Sequence, residues 1–543
     1  MSSILAVLVV VAVAYFGIDL FKKKRGSGGL NAWHGAMGIC AVLFVGSLLK
    51  NYVLTSQPMP ANGLVIGLVI FGGIMAFLWS KARQVGTGGG GRQSDVLRGS
   101  EAVHGTDLQM MVNKGTLEPG ALDIQIGGVT IPRSLEPQHI LLSGTTGAGK
   151  TQALNKILRV IRRRGKRAMI ADAGGGFLSR FYQPGDVIFN PFDKRSVAWS
   201  PFAEIRAEYD CQRIAKAAIP DVSGESQEWH NYAQTLMAEV MLVMFKRGDR
   251  SMKRLLHYVS NADVRELGEL LAGTTAAILC MKGNEKMLSN TRGIIATYLV
   301  AWRYLPDTGT FSVREWTRNE SRDNWLFVTY RDDQMGMLRT LVATMLELGI
   351  VEGLSLSEDS DRDLWFILDE VDSLGKITSL RAGQTKIRKY GGRFVLGLQT
   401  ISQLRSTYGN DEAQTLLANA STKLVLRAGD NQTAEYFSKE LGEQEIERGQ
   451  VTRSDSSSSG GGFLKPNNSS SSSTSHSTIR ETKATILPSE IMNLEDLAGF
   501  LRIPAFPIGF VEIEYEKLPE VAQPYEESGV SLVYAGQEKT VAE

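Results

Sequence analysis

Apolar and polar positions divide the sequence into a strongly apolar start and a longer body of short strands and amphipathic helices. Three apolar runs lie within the first 83 residues: Ile4–Leu20, Trp33–Leu49 and Gly63–Trp79. Each run is about long enough to cross the ~30 Å hydrocarbon core of a bilayer. The pattern therefore predicts an α-helical transmembrane anchor over residues 1–83.

The charges around these runs predict how the anchor is oriented. Lys22–Arg25 follow the first run, and Lys81 and Arg83 follow the third, so both clusters are expected on the cytoplasmic side. Positive charge that follows the first run does not fit a cleaved signal peptide. Three spans with an outward amino terminus satisfy these constraints. In the alternative, the first run, which contains Asp19, lies in or beside the membrane and only two runs span it.

Beyond a glycine-rich linker at 84–105, apolar runs alternate with helical periodicity. The predicted elements are a hairpin at 123–126 and 129–132, a strand from His139, helices at Thr151–Arg164 and Gln334–Glu352, and strands at Arg167–Ala171, Val187–Asn190, Asn324–Tyr330, Leu364–Glu370 and Phe394–Gln399. Strands that alternate with helices are typical of a parallel sheet. Helical periodicity alone dominates residues 200–310. We therefore predict an α/β domain at 106–199 and 311–519, with an all-α domain inserted at 200–310.

The carboxyl-terminal part has three sections of different composition. Residues 452–478 are rich in serine and glycine, and we expect a flexible loop there because such a segment is too polar to pack. Asp496–Ile503 and Ile508–Tyr515 form a pair of elements, and the second alternates as a strand does. The mildly acidic tail at 520–543 is expected to be solvated, although it has the composition of a partner-binding segment as well.

A glycine-rich loop follows the strand that starts at His139. Its residues are Gly144, Thr145, Thr146, Gly147, Ala148, Gly149, Lys150 and Thr151, which match the P-loop pattern. Glycines let successive backbone N–H groups point at one phosphate, and the following helix presents its positive end to the same anion. Lys150 is expected to reach the β- and γ-phosphates, and the Thr151 hydroxyl to bind Mg²⁺. The loop therefore predicts binding of ATP with Mg²⁺.

Two later strands end in polar residues that suit the same chemistry. Leu364–Leu368 lead into Asp369 and Glu370, where Asp369 would bind Mg²⁺ and Glu370 would orient a water molecule for hydrolysis. Phe394–Leu398 lead into Gln399, which would contact the γ-phosphate if its strand lies beside the P-loop strand; otherwise its amide caps the next turn. Between the two strands, a helix carries Lys386, Arg388 and Lys389, which are surface charges or include an arginine finger for a neighbouring subunit.

Overall charge and cysteine content narrow the function further. The formal net charge of the 543-residue chain is +1, so any contact with nucleic acid must be local. The three cysteines, Cys40, Cys211 and Cys280, lack the paired spacing of a zinc site or a disulfide framework.

Taken together, these features resemble the VirD4/TraD/TrwB family of type IV secretion coupling proteins. The resemblance covers the membrane anchor, the P-loop, the Asp172/Gly175 turn with Asn190–Asp193, the helical insertion before Asp369-Glu370, and Gly397–Gln399 followed by Ser402–Leu404. It is most similar to the TrwB/TraJ-type branch. A third membrane span would be a departure, since many relatives have two.

The resemblance implies a RecA-like P-loop ATPase in the bacterial inner membrane that assembles as a homohexamer. It implies partners as well: relaxase-bound single-stranded DNA, the relaxosome, and inner-membrane components of the type IV secretion channel. Within the site, Gln399 matches the family's sensor, and Arg388 matches its arginine finger, supplied from a neighbouring subunit.

Two alternatives remain at the level of sequence. The first is an FtsK-type double-stranded DNA translocase, which has the same kind of motor. Translocases of that type carry a DNA-reading module after the motor, and the helical insertion of this chain does not fit them. A membrane receptor that docks the relaxosome without pumping would need ATP only for assembly. Glu370 and Gln399 argue for a hydrolysing, DNA-stimulated motor.

Overall fold

The computed structural model describes residues 95–115, 122–222, 224, 226–462 and 465–529. The predicted anchor at 1–83 lies outside the described residues. The described residues belong to two compact units. The main body comprises the described residues of 98–445 and 482–529, and a smaller unit contains those of 95–97 and 446–481.

The strands and helices are numbered here in chain order. The strands are β1 Asp95–Gly99, β2 Ala102–His104, β3 Gln125–Ile126, β4 Val129–Thr130, β5 Ile140–Ser143, β6 Ala168–Ala173, β7 Val187–Phe189, β8 Leu326–Tyr330, β9 Leu364–Leu368, β10 Gly392–Leu398, β11 Thr422–Val425, β12 Glu443–Gly462, β13 Lys465–Ala484, β14 Ala498–Arg502 and β15 Ile508–Glu512. The α-helices are α1 Gly105–Gly115, α2 Lys150–Arg163, α3 Gly176–Phe181, α4 Glu208–Ala218, α5 Gln227–Lys246, α6 Met252–Leu256, α7 Val264–Leu270, α8 Glu285–Tyr298, α9 Val313–Arg318, α10 Asp332–Gly353, α11 Leu380–Lys386, α12 Ile401–Tyr408, α13 Asn410–Ala418, α14 Asn431–Leu441 and α15 Pro488–Met492.

A ten-stranded sheet forms the centre of the main body, in the order β2-β15-β14-β11-β5-β10-β9-β6-β8-β7. The seven strands from β11 to β7 are mutually parallel, which confirms the predicted parallel sheet. The apolar runs of β5, β8 and β9 are buried at every position, as expected for strands covered on both faces. Because β10 lies between β5 and β9, the carboxyl ends of these three strands meet at one edge.

The segment between β7 and β8 is helical, as its periodicity predicts. Its described residues form helices and turns, with two isolated β-bridges, one between Trp199 and Phe311 and one between Asp193 and Glu527 of the tail. A buried network joins it to α10: the Arg314 guanidinium donates to Asp210 at 2.9 and 3.0 Å and to Glu352 at 3.1 Å. These contacts and a shared apolar core place the segment in the same compact unit as the sheet. That residues 200–310 form a separate all-α domain stays a prediction.

Helix α10 confirms the long helix predicted at Gln334–Glu352. It is the single helix of the described residues that is long and apolar enough to span a membrane, and 61% of its apolar window is buried within the protein. A Cβ atom added at Gly349 would lie 2.5 Å from the sulfur of Met169 in β6, so the helix packs tightly on the sheet. Its hydrophobicity is therefore that of a core helix.

The serine-rich segment differs from the prediction of a flexible loop at 452–478. Strands β12 and β13 run through it and join β1 in a three-stranded sheet in the order β1-β12-β13. A β-ladder is held by backbone N–H and C=O groups, which a serine run supplies at every residue without needing an apolar core. The end of the predicted linker at 84–105 also contains strands, since β1 and β2 lie there and β2 pairs with β15.

The described part of the acidic tail is docked rather than solvated. The Val521 N–H donates to the Ser179 carbonyl at 2.7 Å, and the Lys194 N–H donates to the Glu526 carbonyl at 2.7 Å. The hydroxyl of Tyr525 donates to the carbonyl of Phe192 at 2.8 Å. Composition gave no sign of this, because most of the bonds use backbone groups. The rest of the predicted tail, 530–543, lies outside the described residues.

Candidate nucleotide-binding site

The P-loop lies between β5 and α2, which confirms the strand–loop–helix context of the motif. Gly147 and Gly149 have left-handed φ angles of 81° and 117°. At Gly149, a Cβ atom would also lie 2.9 Å from the side chain of Leu497, so both the backbone angle and the space require glycine. The loop thereby curls around the amino end of α2, where free backbone N–H groups attract an anion.

Lys150 is positioned at the start of α2 with its side chain inside the site. The residue is 7% exposed, and its ammonium group donates to the carbonyl of Gly144. Burial lowers the pKa of Lys150, while Asp369, Glu370 and the nearby Asp372 counteract this effect. The ammonium group is therefore held close to three carboxyl groups at the carboxyl edge of the sheet.

Asp369 and Glu370 follow β9 directly, at the same edge as the P-loop. Burial, together with the charge of Glu370, raises the pKa of Asp369 to about 6. Its Oδ1 atom is buried and has no hydrogen-bond partner among the described residues. A Cβ atom at Gly397 of β10 would lie 2.7 Å from that oxygen, so glycine lets the carboxylate sit against the neighbouring strand.

Gln399 meets the condition under which it was predicted to act in the site. Its strand, β10, pairs with the P-loop strand, and the Gly144 N–H donates to the Leu398 carbonyl at 3.1 Å. The Gln399 amide nitrogen donates to the Glu370 carboxylate. Glu370 itself has a left-handed φ of 60°, unusual for a side-chain-bearing residue, and its turn directs it to this partner. The structure therefore brings Gln399, Glu370 and the P-loop together.

Asp372 is a site residue that the sequence analysis missed. Its Oδ2 atom accepts hydrogen bonds of 3.2 Å from the backbone N–H groups of Gln399 and Thr400, and burial raises its pKa. It therefore fixes the turn that follows β10. The sequence does contain a third acidic residue shortly after Asp369, which could have indicated Asp372. Only the order of the strands shows what this residue contacts.

Arg388 is not part of this cluster in its own chain. It is exposed on a 3₁₀ turn, Ile387–Tyr390, which precedes β10, whereas Gln399 follows β10. At about 3.3 Å per residue, the seven residues of β10 separate the two ends by roughly 20 Å. Arg388 therefore lies at the opposite edge of the sheet, and its predicted action on a neighbouring subunit stays a prediction.

A cleft of about 350 Å³ opens at the carboxyl edge of the sheet. It is lined by Thr145, Thr146, Gly147, Gly149, Lys150, Thr151, Gln152, Asp369, Glu370, Asp496, Leu497 and Tyr515. The other two predicted loop residues, Gly144 and Ala148, do not line the cleft. Ala148 is fully buried, and the Gly144 carbonyl accepts a hydrogen bond from the Lys150 ammonium group. No sequence motif indicated Gln152, Asp496, Leu497 or Tyr515 as part of the site.

The residues present fit a nucleotide with Mg²⁺. The cleft volume lies within the ~300–1,000 Å³ typical of small-molecule sites. The Thr151 hydroxyl and the unpartnered Asp369 oxygen are the hard oxygen ligands that Mg²⁺ prefers. Across the described ranges there is no cluster of three or more His, Cys, Asp or Glu side chains suited to a metal. An ion here would thus depend on the phosphates of the nucleotide for further ligands.

Comparison with known proteins gives one consistent family. The model of the type IV secretion-system coupling protein DNA-binding domain matches residues 123–514. Coupling protein TraD of Escherichia coli (strain K12) is 28% identical over 433 residues, which are 77% of this chain and 59% of TraD. Conjugal transfer protein TraG of Escherichia coli is 27% identical over 369 residues, which are 59% of this chain and 57% of TraG. The chain thus spans somewhat more than half the length of these relatives.

Solved structures of TrwB agree with this assignment. The unbound bacterial conjugative coupling protein TrwBdeltaN70 superposes with a TM-score of 0.71 and 33% identity, over 81% of this chain and 98% of that one. TrwB in complex with ADP and Mg²⁺ gives a TM-score of 0.70 at 33% identity, again over 81% and 98% of the two chains. Another structure holds TrwB with the non-hydrolysable ATP analogue ADPNP. The chain therefore belongs to the TrwB/TraD family of type IV secretion coupling proteins.

Proposed function

We propose that this coupling protein is a membrane-anchored, hexameric, DNA-stimulated ATPase that links relaxase-bound single-stranded DNA to a type IV secretion channel and drives its translocation. Family membership supports a role in conjugative DNA transfer and argues against the FtsK-type alternative. The observation that carries the motor assignment is the Glu370–Gln399 pair beside the P-loop. A receptor that needs ATP only for assembly would not require a carboxylate and an amide poised for hydrolysis.

The described residues divide the chemistry of ATP hydrolysis among them. Lys150 and the backbone N–H groups of the P-loop bind the phosphates, and Thr151 and Asp369 hold Mg²⁺. The metal ion, when bound, neutralises charge that develops on the phosphates. Glu370 orients the attacking water and accepts its proton. Gln399 donates to Glu370 and thereby keeps its carboxylate at the edge where the γ-phosphate would lie.

Membrane association and partners follow from the same family assignment. The relative TraD is a coupling protein, and the likeness to it supports inner-membrane association. In our proposal the three predicted spans of residues 1–83 anchor the chain in lipid, and the cytoplasmic body meets the relaxosome. The helical segment between β7 and β8 is the proposed all-α domain that faces this substrate.

The position of Arg388 supports a hexameric arrangement. It is exposed and roughly 20 Å away from its own cleft along β10, so it acts on phosphates only if a second subunit presents its cleft to it. Closed rings of identical subunits make this contact, because each subunit offers one surface to the next. Arg388 would then stabilise charge on the γ-phosphate of its neighbour.

Mixing of inactive subunits tests this arrangement. Glu370→Gln removes the base of its own site, and Arg388→Ala removes the finger given to a neighbour. We expect each variant of the full-length chain to lose at least ~10²-fold in ATPase rate. An equimolar mixture should regain about a quarter of wild-type activity, since that share of sites combines an intact Glu370 with an Arg388 donor.

The matched control is Arg381→Ala, which removes another exposed arginine from the adjacent helix α11 and should leave the rate unchanged. If Arg388→Ala hydrolyses ATP at the wild-type rate, Arg388 is not the finger. If co-assembled mixtures are no more active than the single variants, the site is not shared between subunits. If Glu370→Gln is fully active, the assignment of the base is wrong.

A further inference from the structure

Tyr515 is a large aromatic residue in an unusual place. It follows β15, the last described strand along the chain, and lines the cleft together with Gly147 and Leu497. Its side chain is well exposed, at 65%. An aromatic ring that exposed, beside a phosphate-binding loop, offers a flat apolar face to whatever enters the cleft.

The strand pattern explains why the ring reaches this position. Val511 and Ile513 are buried at 2% and 3% exposure, whereas the intervening Glu512 and Glu514 are exposed. Side chains alternate between the faces of a strand, so the next position on the buried side is Tyr515. The strand leaves the sheet after Glu512, and the continuing alternation carries the tyrosine past the apolar core to the mouth of the cleft.

The segment that carries Tyr515 is fixed relative to the P-loop. The Leu497 N–H donates to the carbonyl of Ala148 at 3.0 Å, and the Leu497 carbonyl accepts from the Ile513 N–H at 2.7 Å. On the other side of the tyrosine, the Glu516 N–H donates to Oε1 of Gln152 at 3.1 Å. The P-loop and the first turn of α2 are therefore connected by hydrogen bonds to both sides of the ring.

Ion pairs strengthen the same attachment. The Glu516 carboxylate lies 2.5 Å from the guanidinium of Arg159, and Glu514 lies 3.5 Å from the ammonium group of Lys156. Both cations belong to α2, the helix that follows the P-loop. The two glutamates on either side of Tyr515 thus bind the helix, and the backbone that carries the ring is tied to the helix that follows the phosphate-binding loop.

We propose that Tyr515 is the stacking platform for the nucleobase of the bound nucleotide, with the half-buried Leu497 beside it. This inference rests on the proposed function, because it assigns the base subsite of the same nucleotide cleft. Stacking on an aromatic face stabilises any base, since every base has a π-face. The platform therefore accepts adenine and guanine alike, and it contributes to affinity for the nucleoside part without contacting the phosphates.

The test compares a ligand that has a base with one that has none. Binding of ATP and of inorganic tripolyphosphate, each with Mg²⁺, is measured by calorimetry on the full-length chain. We expect Tyr515→Ala to weaken ATP binding about tenfold and to leave tripolyphosphate binding within about twofold. Tyr515→Phe, which keeps the ring, should leave both affinities unchanged. Tyr209→Ala is the matched control, because Tyr209 is 69% exposed and lies in α4, away from the lining of the cleft.

The outcomes separate this proposal from the proposed function. If tripolyphosphate binds the wild type, is lost in Lys150→Ala, and ATP affinity is unaffected in Tyr515→Ala, the platform is refuted and the nucleotide site stands. If Tyr515→Ala weakens tripolyphosphate as much as ATP, the residue acts through the loop geometry and the platform is again refuted. If the wild type binds neither ligand, the nucleotide site itself is refuted, and this inference fails with it.

Discussion

The buried histidine at the start of the P-loop strand gives a prediction whose magnitude follows from the structure. His139 is 2% exposed; its Nδ1 accepts from the Phe394 N–H at 3.1 Å, and its Nε2 lies 2.7 Å from the Gln384 carbonyl. One ring nitrogen accepts while the other donates, so the ring is neutral. Burial, together with the charges of Arg393 and Arg388, lowers the pKa of His139 from 6.5 to about 4, although the hydrogen bond to Gln384 counteracts this effect.

The sign of the pH effect follows from proton binding. Between pH 6.5 and about 4, the unfolded chain binds a proton at His139 that the folded chain does not bind. Stability from this residue is therefore complete above pH 6.5 and is lost as the pH falls towards 4. At about 1.4 kcal/mol per tenfold change, the full loss is roughly 3 kcal/mol, and about 2 kcal/mol of it appears by about pH 5.

A second buried group changes stability in the opposite direction. Burial raises the pKa of Asp172 from 3.8 to about 7, although the backbone N–H groups of Leu178 and Phe177 counteract it. Here the folded chain binds the extra proton, so this contribution increases as the pH falls from 7 to 3.8. The pH dependence of wild-type stability combines the contributions of His139 and Asp172. Comparison with variants of each residue separates the two contributions.

Urea unfolding of the full-length chain near pH 7.5 and near pH 5 measures the effect. His139→Gln should be less stable than the wild type near pH 7.5, and the difference should shrink by about 2 kcal/mol near pH 5. For Asp172→Asn, the free energy of unfolding should instead fall further below that of the wild type at the lower pH. A His139→Gln difference that is the same at both pH values would refute the assignment of a neutral buried ring.

Three other predictions test the packing around the site. Gly397→Ala should cut ATP hydrolysis at least about tenfold with little change in the melting temperature, because its Cβ would lie 2.7 Å from the Asp369 carboxylate; wild-type kinetics would contradict this. Arg314→Met should lower the free energy of unfolding by about 1.5–3 kcal/mol, because it removes charged hydrogen bonds to Asp210 and Glu352 while Arg213 still pairs with both carboxylates; a loss below about 1 kcal/mol would show that the network is dispensable. Truncation after Leu518 should lower the melting temperature by several degrees, since the docked tail makes hydrogen bonds worth about 1 kcal/mol each. Truncation after Gly529 is its control, and equal melting temperatures would refute a stabilising tail.

The sequence was sufficient for parts of the site that are continuous along the chain. The P-loop is one motif, and its flanking strand and helix have clear periodicities, so Lys150 and Thr151 were predicted with their context. Asp369 and Glu370 end a wholly apolar strand, which is a local signal too. Gln399 could be predicted only conditionally, because its role depends on β10 lying next to β5, and strand order is a property of the tertiary fold.

Other parts could not be predicted, for identifiable reasons. Asp372 accepts hydrogen bonds from backbone N–H groups of the turn that follows β10, and hydrogen bonds of this kind have no sequence pattern. Alternation placed Tyr515 on the buried side, and only the end of β15 shows that it reaches the cleft. The serine-rich segment was predicted to be a loop because its side chains are polar, whereas its strands are joined through the backbone.

The central claim is that hydrolysis in this cleft drives DNA transfer, and conjugation by cells that carry Glu370→Gln in the full-length chain tests it most directly. The variant should still bind ATP and assemble, because the P-loop and Asp369 are intact. Our account predicts that transfer frequency falls by at least roughly a hundredfold, the contribution of a general base. Transfer at the wild-type frequency by a variant that binds ATP and assembles would contradict the motor and leave a docking receptor in its place.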